Sequence, residues 1–165
     1  MASRLVRHSH LESGTVNMDE LKIAIRVLLA NTYVLYFKTH SFHWNIEGIH
    51  FTQYHDFLGE VYQDIYGSID PIAEFLRKLD DYAPKSLDEM FKYKTLNEET
   101  AQTADIREIM LKLLADNEEV IASLNKVFAL ASAANKQGIA DFVAGRIDAH
   151  EKHSWFLRVS AKKMG

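Results

Sequence analysis

Four long stretches of helical hydrophobic periodicity fill most of this 165-residue chain and limit the folds that are open to it. The first begins after Asn17, which with Glu20 resembles a capping box, and it ends before Gly48. Only seven glycines and two prolines occur in the whole sequence, which argues against a turn-rich all-β fold. The predicted helices cover about 17–48, 51–80, 105–137 and 139–162.

The connections between the predicted helices indicate how they pack. The first two are joined by a short turn, so they should be antiparallel neighbours. The second reaches the third only through a long segment, 81–104, where Ser86 and Glu89 predict a short helix. Gly138 is expected to separate the last two helices, and Pro71 is expected to kink the second. Four long helices with one long crossover are typical of an all-α, ferritin-like four-helix bundle.

Charge is distributed unevenly along the chain. The net charge is −4, but residues 1–11 carry +2 and residues 152–165 carry +4, so the residues between them carry −10. We therefore expect a flexible basic N-terminal tail over 1–16 and a bundle domain over 17–165. An acidic body with basic ends is not the footprint of a protein built mainly to coat DNA, so DNA binding should be weak and sensitive to salt.

Composition excludes several classes of site. The chain has no cysteine, which excludes disulfides, thiolate nucleophiles and cysteine-based zinc or iron–sulfur sites. That count is compatible with a cytoplasmic location, with nucleoid association if DNA is bound. No apolar run reaches the length of about 18 residues that predicts a transmembrane helix, so no membrane partner is expected.

Two histidines and two carboxylates form the candidate metal site. His43 lies near the end of the first helix and His55 near the start of the second, so an antiparallel hairpin brings both imidazoles to the same end of the bundle. Imidazole suits iron, zinc or copper. Asp70 and Glu74 are four residues apart and share one helix face, although they could instead pair with neighbouring basic side chains, Arg77 and Lys78. The four together would make an iron-competent set of ligands.

The length of the second helix decides how such a site could form. Asp70 follows His55 by 15 residues, which is about 22 Å along a helix. One chain therefore cannot place all four side chains on one metal ion. Two chains with antiparallel second helices can do so, and they would form two equivalent sites per dimer. A di-iron site inside one bundle would need two Glu-x-x-His pairs. The only such spacing, Glu47 to His50, is interrupted by Gly48.

These motifs resemble the Dps family, the DNA-binding proteins from starved cells, or mini-ferritins. The matching residues are Phe51, His55, the run Asp70-Pro71-Ile72-Ala73-Glu74 and, before them, His40-Ser41-Phe42-His43-Trp44-Asn45-Ile46-Glu47-Gly48. The likeness extends over nearly all of the chain from the first helix onward. It implies a hollow homo-oligomer, a dodecamer, that oxidises Fe(II) at inter-subunit sites with hydrogen peroxide or oxygen. The ferric mineral would be stored inside, which protects against oxidative damage.

The resemblance implies that His43, His55, Asp70 and Glu74 are the ferroxidase ligands. One position departs from the family, which usually has an acid four residues after the second histidine. Here that residue is Gly59, with Glu60 beside it but about 100° further round the helix. We therefore hypothesise that one iron position is weaker, filled by water or rebuilt by Glu60.

The roles of several other residues have two interpretations each. The family suggests that Trp44 quenches radicals near the site, but core packing is an equal alternative. Asp141 matches a carboxylate at the family's three-fold iron pore, or is an exposed helix acid. His40 is an interface histidine or a ligand, and His150 and His153 are expected to be structural or surface residues.

Two other functions are compatible with the same scaffold. One is a DNA-compacting shell with little ferroxidase activity, in which only the basic ends would contact phosphates. The other is a zinc-binding or other metal-buffering protein, because imidazole and carboxylate ligands also bind zinc.

Overall fold

The structure is a computed structural model that describes residues 17–163. This part of the chain is built from helices and contains no β-strand, as predicted. The predicted basic tail over 1–16 lies outside the described residues. The helices are α1 (Met18–Asn45), α2 (Phe51–Lys78), α3 (Leu87–Phe91), α4 (Ile106–Ala133) and α5 (Gln137–Ser160).

Side-chain caps fix where three of the helices begin. The Asn17 side chain accepts hydrogen bonds from the backbone N–H groups of Asp19 and Glu20, at 3.0 and 3.4 Å. Ser86 caps the short helix α3, and Asp105 caps α4, each at 3.1 Å from a backbone N–H group. These caps satisfy N–H groups that have no partner inside the helix, so the predicted starts of α1, α3 and α4 are confirmed.

The ends of two helices differ from the prediction. Helix α2 stops at Lys78 because Asp80 adopts a left-handed conformation, with φ of 60°. The turn before α5 is made by Asn135, with φ of 56°, and not by Gly138, which lies inside the first turn of α5. Asparagine tolerates this conformation because its short polar side chain can form hydrogen bonds to the nearby backbone. The expectation that Gly138 separates the last two helices is therefore wrong.

Two helical hairpins, α1·α2 and α4·α5, pack against each other mainly through α1 and α4. Helices α2 and α5 contact each other far less. The centre of the bundle is apolar and almost fully shielded from water, and its largest side chains include Leu21, Ile25, Leu28, Leu35, Leu58, Ile65, Ile72, Leu76 and Ile109. This arrangement confirms the four-helix bundle, with α3 in the crossover between α2 and α4.

Helix α2 continues without a break across Pro71. The proline removes the backbone donor that would bond to the carbonyl of Gly67, four residues earlier. Gly67 is exposed, so water can hydrate its carbonyl. None of the helices in the described part of the chain is long and apolar enough to cross a membrane.

Candidate metal centre

The two predicted ligand histidines are in direct contact where α1 ends and α2 begins. The rings of His43 and His55 stack with centroids 3.7 Å apart and an interplanar angle of 18°. The Nδ1 of His43 lies 2.6 Å from the carbonyl oxygen of His55, and the Nδ1 of His55 lies 2.7 Å from the carbonyl oxygen of His43. Each imidazole is therefore held by the backbone of the other helix.

These reciprocal bonds decide which ring nitrogens can bind a metal. A carbonyl oxygen only accepts, so each Nδ1 must carry the hydrogen and donate it. The hydrogen of each neutral ring is thereby assigned to Nδ1, which leaves the lone pair on Nε2 of both His43 and His55. A metal-binding histidine is usually held in this way by a hydrogen bond from its other nitrogen.

Gly59 provides the space that the His43 ring occupies. A Cβ atom at this position would lie 3.2 Å from Cε1 and 3.4 Å from Nδ1 of His43. Gly59 is buried on the helix turn that follows His55, so the space above its backbone is filled by the imidazole. The residue that departs from the family pattern is thus in contact with a candidate ligand.

Aromatic side chains surround the histidine pair. Phe51 stacks on His55 with centroids 4.9 Å apart, and Tyr62 meets the edge of the His43 ring at 5.1 Å. His40 stacks on Tyr62 at 4.0 Å and lies 4.1 Å from Trp44. The pKa of His40 is lowered, by burial and then by the neighbouring His43. His40 therefore belongs to the aromatic surroundings of the site.

The two predicted carboxylates lie near the other end of α2. Asp70 and Glu74 are both exposed, and the pKa of Glu74 is raised because the protonated form can donate a hydrogen bond to Asp70 and because the two charges repel. No ion pair joins either carboxylate to Arg77 or Lys78 within residues 17–163. Two adjacent carboxylates without a cation are suited to binding a metal.

A single protomer does not bring the imidazoles and the carboxylates together. His55 and Asp70 lie on one unbroken helix, which separates them by about 22 Å. Within the described residues, no group of three or more histidines and carboxylates is placed to hold a metal ion. Within one chain the candidate ligands therefore form two separate groups, the imidazoles near the start of α2 and the carboxylates towards its other end.

The other predicted residues are distributed over the surface. Glu60 is exposed and lines a groove between α2 and α5 with Asp64 and His153. Trp44 is 54% exposed and therefore is not a core residue. Asp141 is exposed near the start of α5.

A second polar cluster joins α2, α4 and α5, and no local pattern in the sequence predicts its connections. Asp64 accepts two hydrogen bonds from Arg146, at 3.0 and 2.8 Å, and lies 2.7 Å from Nε2 of His153. Burial works to raise the pKa of Asp64, but the bonds from His153 and Arg146 outweigh it and hold the pKa well below its usual value.

His150 is the buried member of this cluster and confirms the expectation of a structural histidine. Its Nδ1 lies 2.7 Å from the side-chain oxygen of Asn117, whose amide donates to Ser154 at 2.7 Å. Burial, and then the charge of Arg146, lowers the pKa of His150 to about 3. The residue is therefore neutral and ties α5 to α4.

Comparison with known proteins agrees with this architecture. Residues 24–164 match the ferritin-like domain family. An uncharacterized low temperature-induced protein from Nostoc is 32% identical over 131 residues, which cover 79% of this chain and 73% of that protein.

Two solved structures share the fold over most of their length. The antigen TpF1 from Treponema pallidum has a TM-score of 0.84 at 27% identity and covers 91% of this chain and 98% of its own. The Dps protein from Vibrio cholerae has a TM-score of 0.82 at 28% identity and covers 87% of this chain and 90% of its own. It is described as a member of a superfamily of ferritin-like diiron-carboxylate proteins. The chain therefore belongs to the ferritin-like family, and Dps proteins are among its relatives.

Proposed function

We propose that this protein oxidises Fe(II), with hydrogen peroxide as the oxidant, at sites shared by two protomers, and stores the ferric product in a hollow homo-oligomer of twelve chains. One observation carries the proposal: the histidine pair, held by backbone hydrogen bonds, lies at the start of α2, and two carboxylates with no ion pair among residues 17–163 lie towards its other end, too far away to share one ion in the same chain. The similar Vibrio cholerae Dps protein is described as a member of a diiron-carboxylate superfamily, which supports iron as the metal, and the oligomer is what the resemblance to the Dps family implies.

A two-fold axis would complete the site. Gly59, beside the histidines, and Asp70 lie within about 20° of each other around α2 because they are 11 residues apart. If two α2 helices pack antiparallel along this face, the histidines of each protomer meet the carboxylates of the other. Such an isologous contact creates two equivalent sites.

The chemistry follows from the ligands. His43 and His55 would offer their Nε2 lone pairs, and the partner's Asp70 and Glu74 would offer oxygen ligands that suit iron. Two Fe(II) ions give two electrons to one peroxide molecule, which takes up two protons and leaves as two water molecules. The pairing of electrons limits the release of hydroxyl radical, so the activity would be protective.

Mixing two defective variants tests the shared site. The first variant combines His43→Ala with His55→Ala, and the second combines Asp70→Asn with Glu74→Gln. Neither should form ferric iron rapidly, as followed by stopped-flow absorbance after addition of Fe(II) and peroxide. After dissociation and reassembly of an equal mixture, half of the dimers are mixed and each regains one intact site, so about a quarter of the sites should recover.

The control is a variant with Glu47→Gln and His50→Ala, which alters exposed residues between α1 and α2. It should oxidise iron like the parent. If mixing restores no activity although native mass spectrometry shows mixed oligomers, the site is not shared. Rapid oxidation by either defective variant alone would also contradict the proposal.

A further inference from the structure

Four tyrosines form a connected cluster beside the histidine pair. The tyrosine cluster consists of Tyr33, Tyr36, Tyr62 and Tyr66, on facing sides of α1 and α2. The Tyr36 ring lies at its centre, with centroid distances of 5.0 Å to Tyr66, 5.5 Å to Tyr33 and 6.2 Å to Tyr62. These separations are those of aromatic rings in contact.

The cluster reaches the candidate metal ligands without a gap. Tyr62 meets the His43 ring at 5.1 Å and connects onward to Tyr36. A second route passes through His40, which lies 4.0 Å from Tyr62 and 5.6 Å from Tyr36. The Tyr36 phenol is therefore linked to His43 by two steps between adjacent rings, through Tyr62 or through His40.

Tyr36 also has a proton acceptor in place. Its hydroxyl oxygen lies 3.3 Å from Nδ1 of His40, so the phenol can donate a hydrogen bond to that nitrogen. Burial and the neighbouring tyrosines raise the pKa of Tyr36, which keeps the phenol protonated at neutral pH. Removal of an electron from a phenol releases its proton, and the hydrogen bond gives this proton a path to His40.

The candidate metal site beside the tyrosine cluster lacks one ligand at position 59. Gly59 has no side chain to bind a metal, and Glu60 points to the groove at α5, so a second iron would be held less firmly than the first. Reduction of peroxide to water takes two electrons, whereas a single Fe(II) gives one. A site with one iron therefore needs another reductant if hydroxyl radical is not to escape.

We propose that Tyr36 supplies this second electron, through Tyr62, and passes its proton to His40. This inference rests on the proposed function. In the step, one Fe(II) becomes Fe(III), the Tyr36 phenol becomes a neutral tyrosyl radical, and the O–O bond of hydrogen peroxide breaks. The two electrons and two protons from solvent convert the peroxide into two water molecules, and the tyrosine proton stays on His40.

Rapid-freeze electron paramagnetic resonance tests the proposal. The full-length protein is loaded with one Fe(II) per protomer and mixed with one equivalent of peroxide. We expect a tyrosyl radical whose spectrum narrows when the protein carries ring-deuterated tyrosine. The signal should be lost in Tyr36→Phe, which keeps the ring but removes the hydroxyl, and kept in Tyr82→Phe, whose exposed tyrosine lies outside the cluster.

Hydroxyl-radical release gives a second readout in the same samples. A spin trap should capture more hydroxyl radical from Tyr36→Phe than from the parent or Tyr82→Phe, while ferric absorbance still forms. A radical that persists in Tyr36→Phe, or one that responds only to deuterated tryptophan and resides on Trp44, would overturn the proposal. If no iron is oxidised in the parent, the proposed function fails as well.

The cluster can also be tested without iron. In a Trp155→Phe background, Trp44 is the only tryptophan, and pulse-generated azide radicals oxidise it. Because His40 lies 4.1 Å from Trp44 and 5.6 Å from Tyr36, the tryptophan radical should decay into a tyrosyl radical. Equal decay and tyrosyl yield in the Tyr36→Phe variant would show that Tyr36 is not the electron donor.

Discussion

His43 and His55 hold each other through the main chain, with each Nδ1 donating to the carbonyl oxygen of the other residue at 2.6 and 2.7 Å. The acceptors are backbone atoms, so the ring orientations depend on how α1 and α2 are joined and not on a further side chain. The same contact makes the site sensitive to position 59, because the His43 ring fills the space above Gly59.

Gly59→Asp should therefore change iron binding in two opposing ways. The new carboxylate restores the ligand that the family usually has, which should raise the number of tightly bound Fe(II) ions per site from one to two. The new Cβ lies 3.2 Å from Cε1 of His43, so the ring must shift by a few tenths of an ångström. Anaerobic Fe(II) titration measures the stoichiometry.

Gly59→Ala is the matched control for that change. It adds the same Cβ without a carboxylate, so it should move the His43 ring but leave the stoichiometry at one. Unchanged stoichiometry and rate in Gly59→Asp would show that the missing acid does not limit the second iron position.

Acid should destabilise the bundle through His150. Its pKa is lowered to about 3 in the folded protein against 6.5 for an unperturbed histidine. Between these values the unfolded chain binds a proton that the folded chain does not, so stability falls as the pH falls through this window, by at most about 1.4 kcal/mol per pH unit. Urea unfolding at pH 7, 6, 5 and 4 measures this slope.

His150→Gln should flatten the dependence of the urea midpoint on pH, even if it lowers stability at pH 7. His50→Gln changes an exposed histidine and serves as the control. If the urea midpoint depends on pH equally in the parent and in His150→Gln, the pH dependence does not come from His150. The pKa of Asp64 is also lowered, so its protonation should reduce stability further at still lower pH. This second loss of stability should persist in His150→Gln.

Asp64→Asn should loosen the weakly packed α2·α5 contact. It removes the charge that pairs with Arg146, whose side chain is only 12% exposed. Loss of one partner of a fully buried pair costs about 3–5 kcal/mol, but the Asp64 side chain is 37% exposed, so water screening should reduce the cost to about 1–2 kcal/mol. Denaturant unfolding should show a larger loss than for Asp148→Asn, an exposed acid in the same groove; an equal loss would rule out an anchoring role.

DNA binding should be weak and should disappear as salt is raised. The net charge of −4 leaves only the basic ends of the chain to contact phosphates. Binding that rests only on contacts between basic side chains and phosphates is sequence-independent, and it weakens as salt is raised because counterions compete for the phosphates. Gel-shift assays at low and moderate salt check this expectation, and tight binding that resists salt would favour a DNA-compacting shell over an iron-oxidising protein.

The parts of the fold that depend on neighbouring residues could be predicted from the sequence. Asn17, Ser86 and Asp105 each cap a helix within three residues along the chain, so their patterns predicted the helix starts. The turn at Asn135 was missed because a left-handed asparagine looks like any polar residue in a sequence, while Gly138 offered a stronger but misleading signal.

The parts of the site that depend on distant residues could not be predicted. Asp64 meets Arg146 and His153 from 82 and 89 residues away, and no local pattern encodes such a pair. The acceptors that fix the two imidazoles are backbone carbonyls, which every residue has. The choice of His43 and His55 as ligands, by contrast, followed from spacing and from the Dps resemblance, and it stays a prediction until the assembly is tested.

The continuity of α2 also restricts how its sequence can change in length. Adding or deleting one residue between Gly59 and Asp70 would rotate the carboxylates by about 100° away from the histidine face. An insertion of seven residues, close to two full turns, would keep the face within about 20° and move neighbouring sites apart by about 10 Å. Length variants of this helix are therefore expected to be tolerated only when the change is close to a whole number of turns, such as seven or eleven residues.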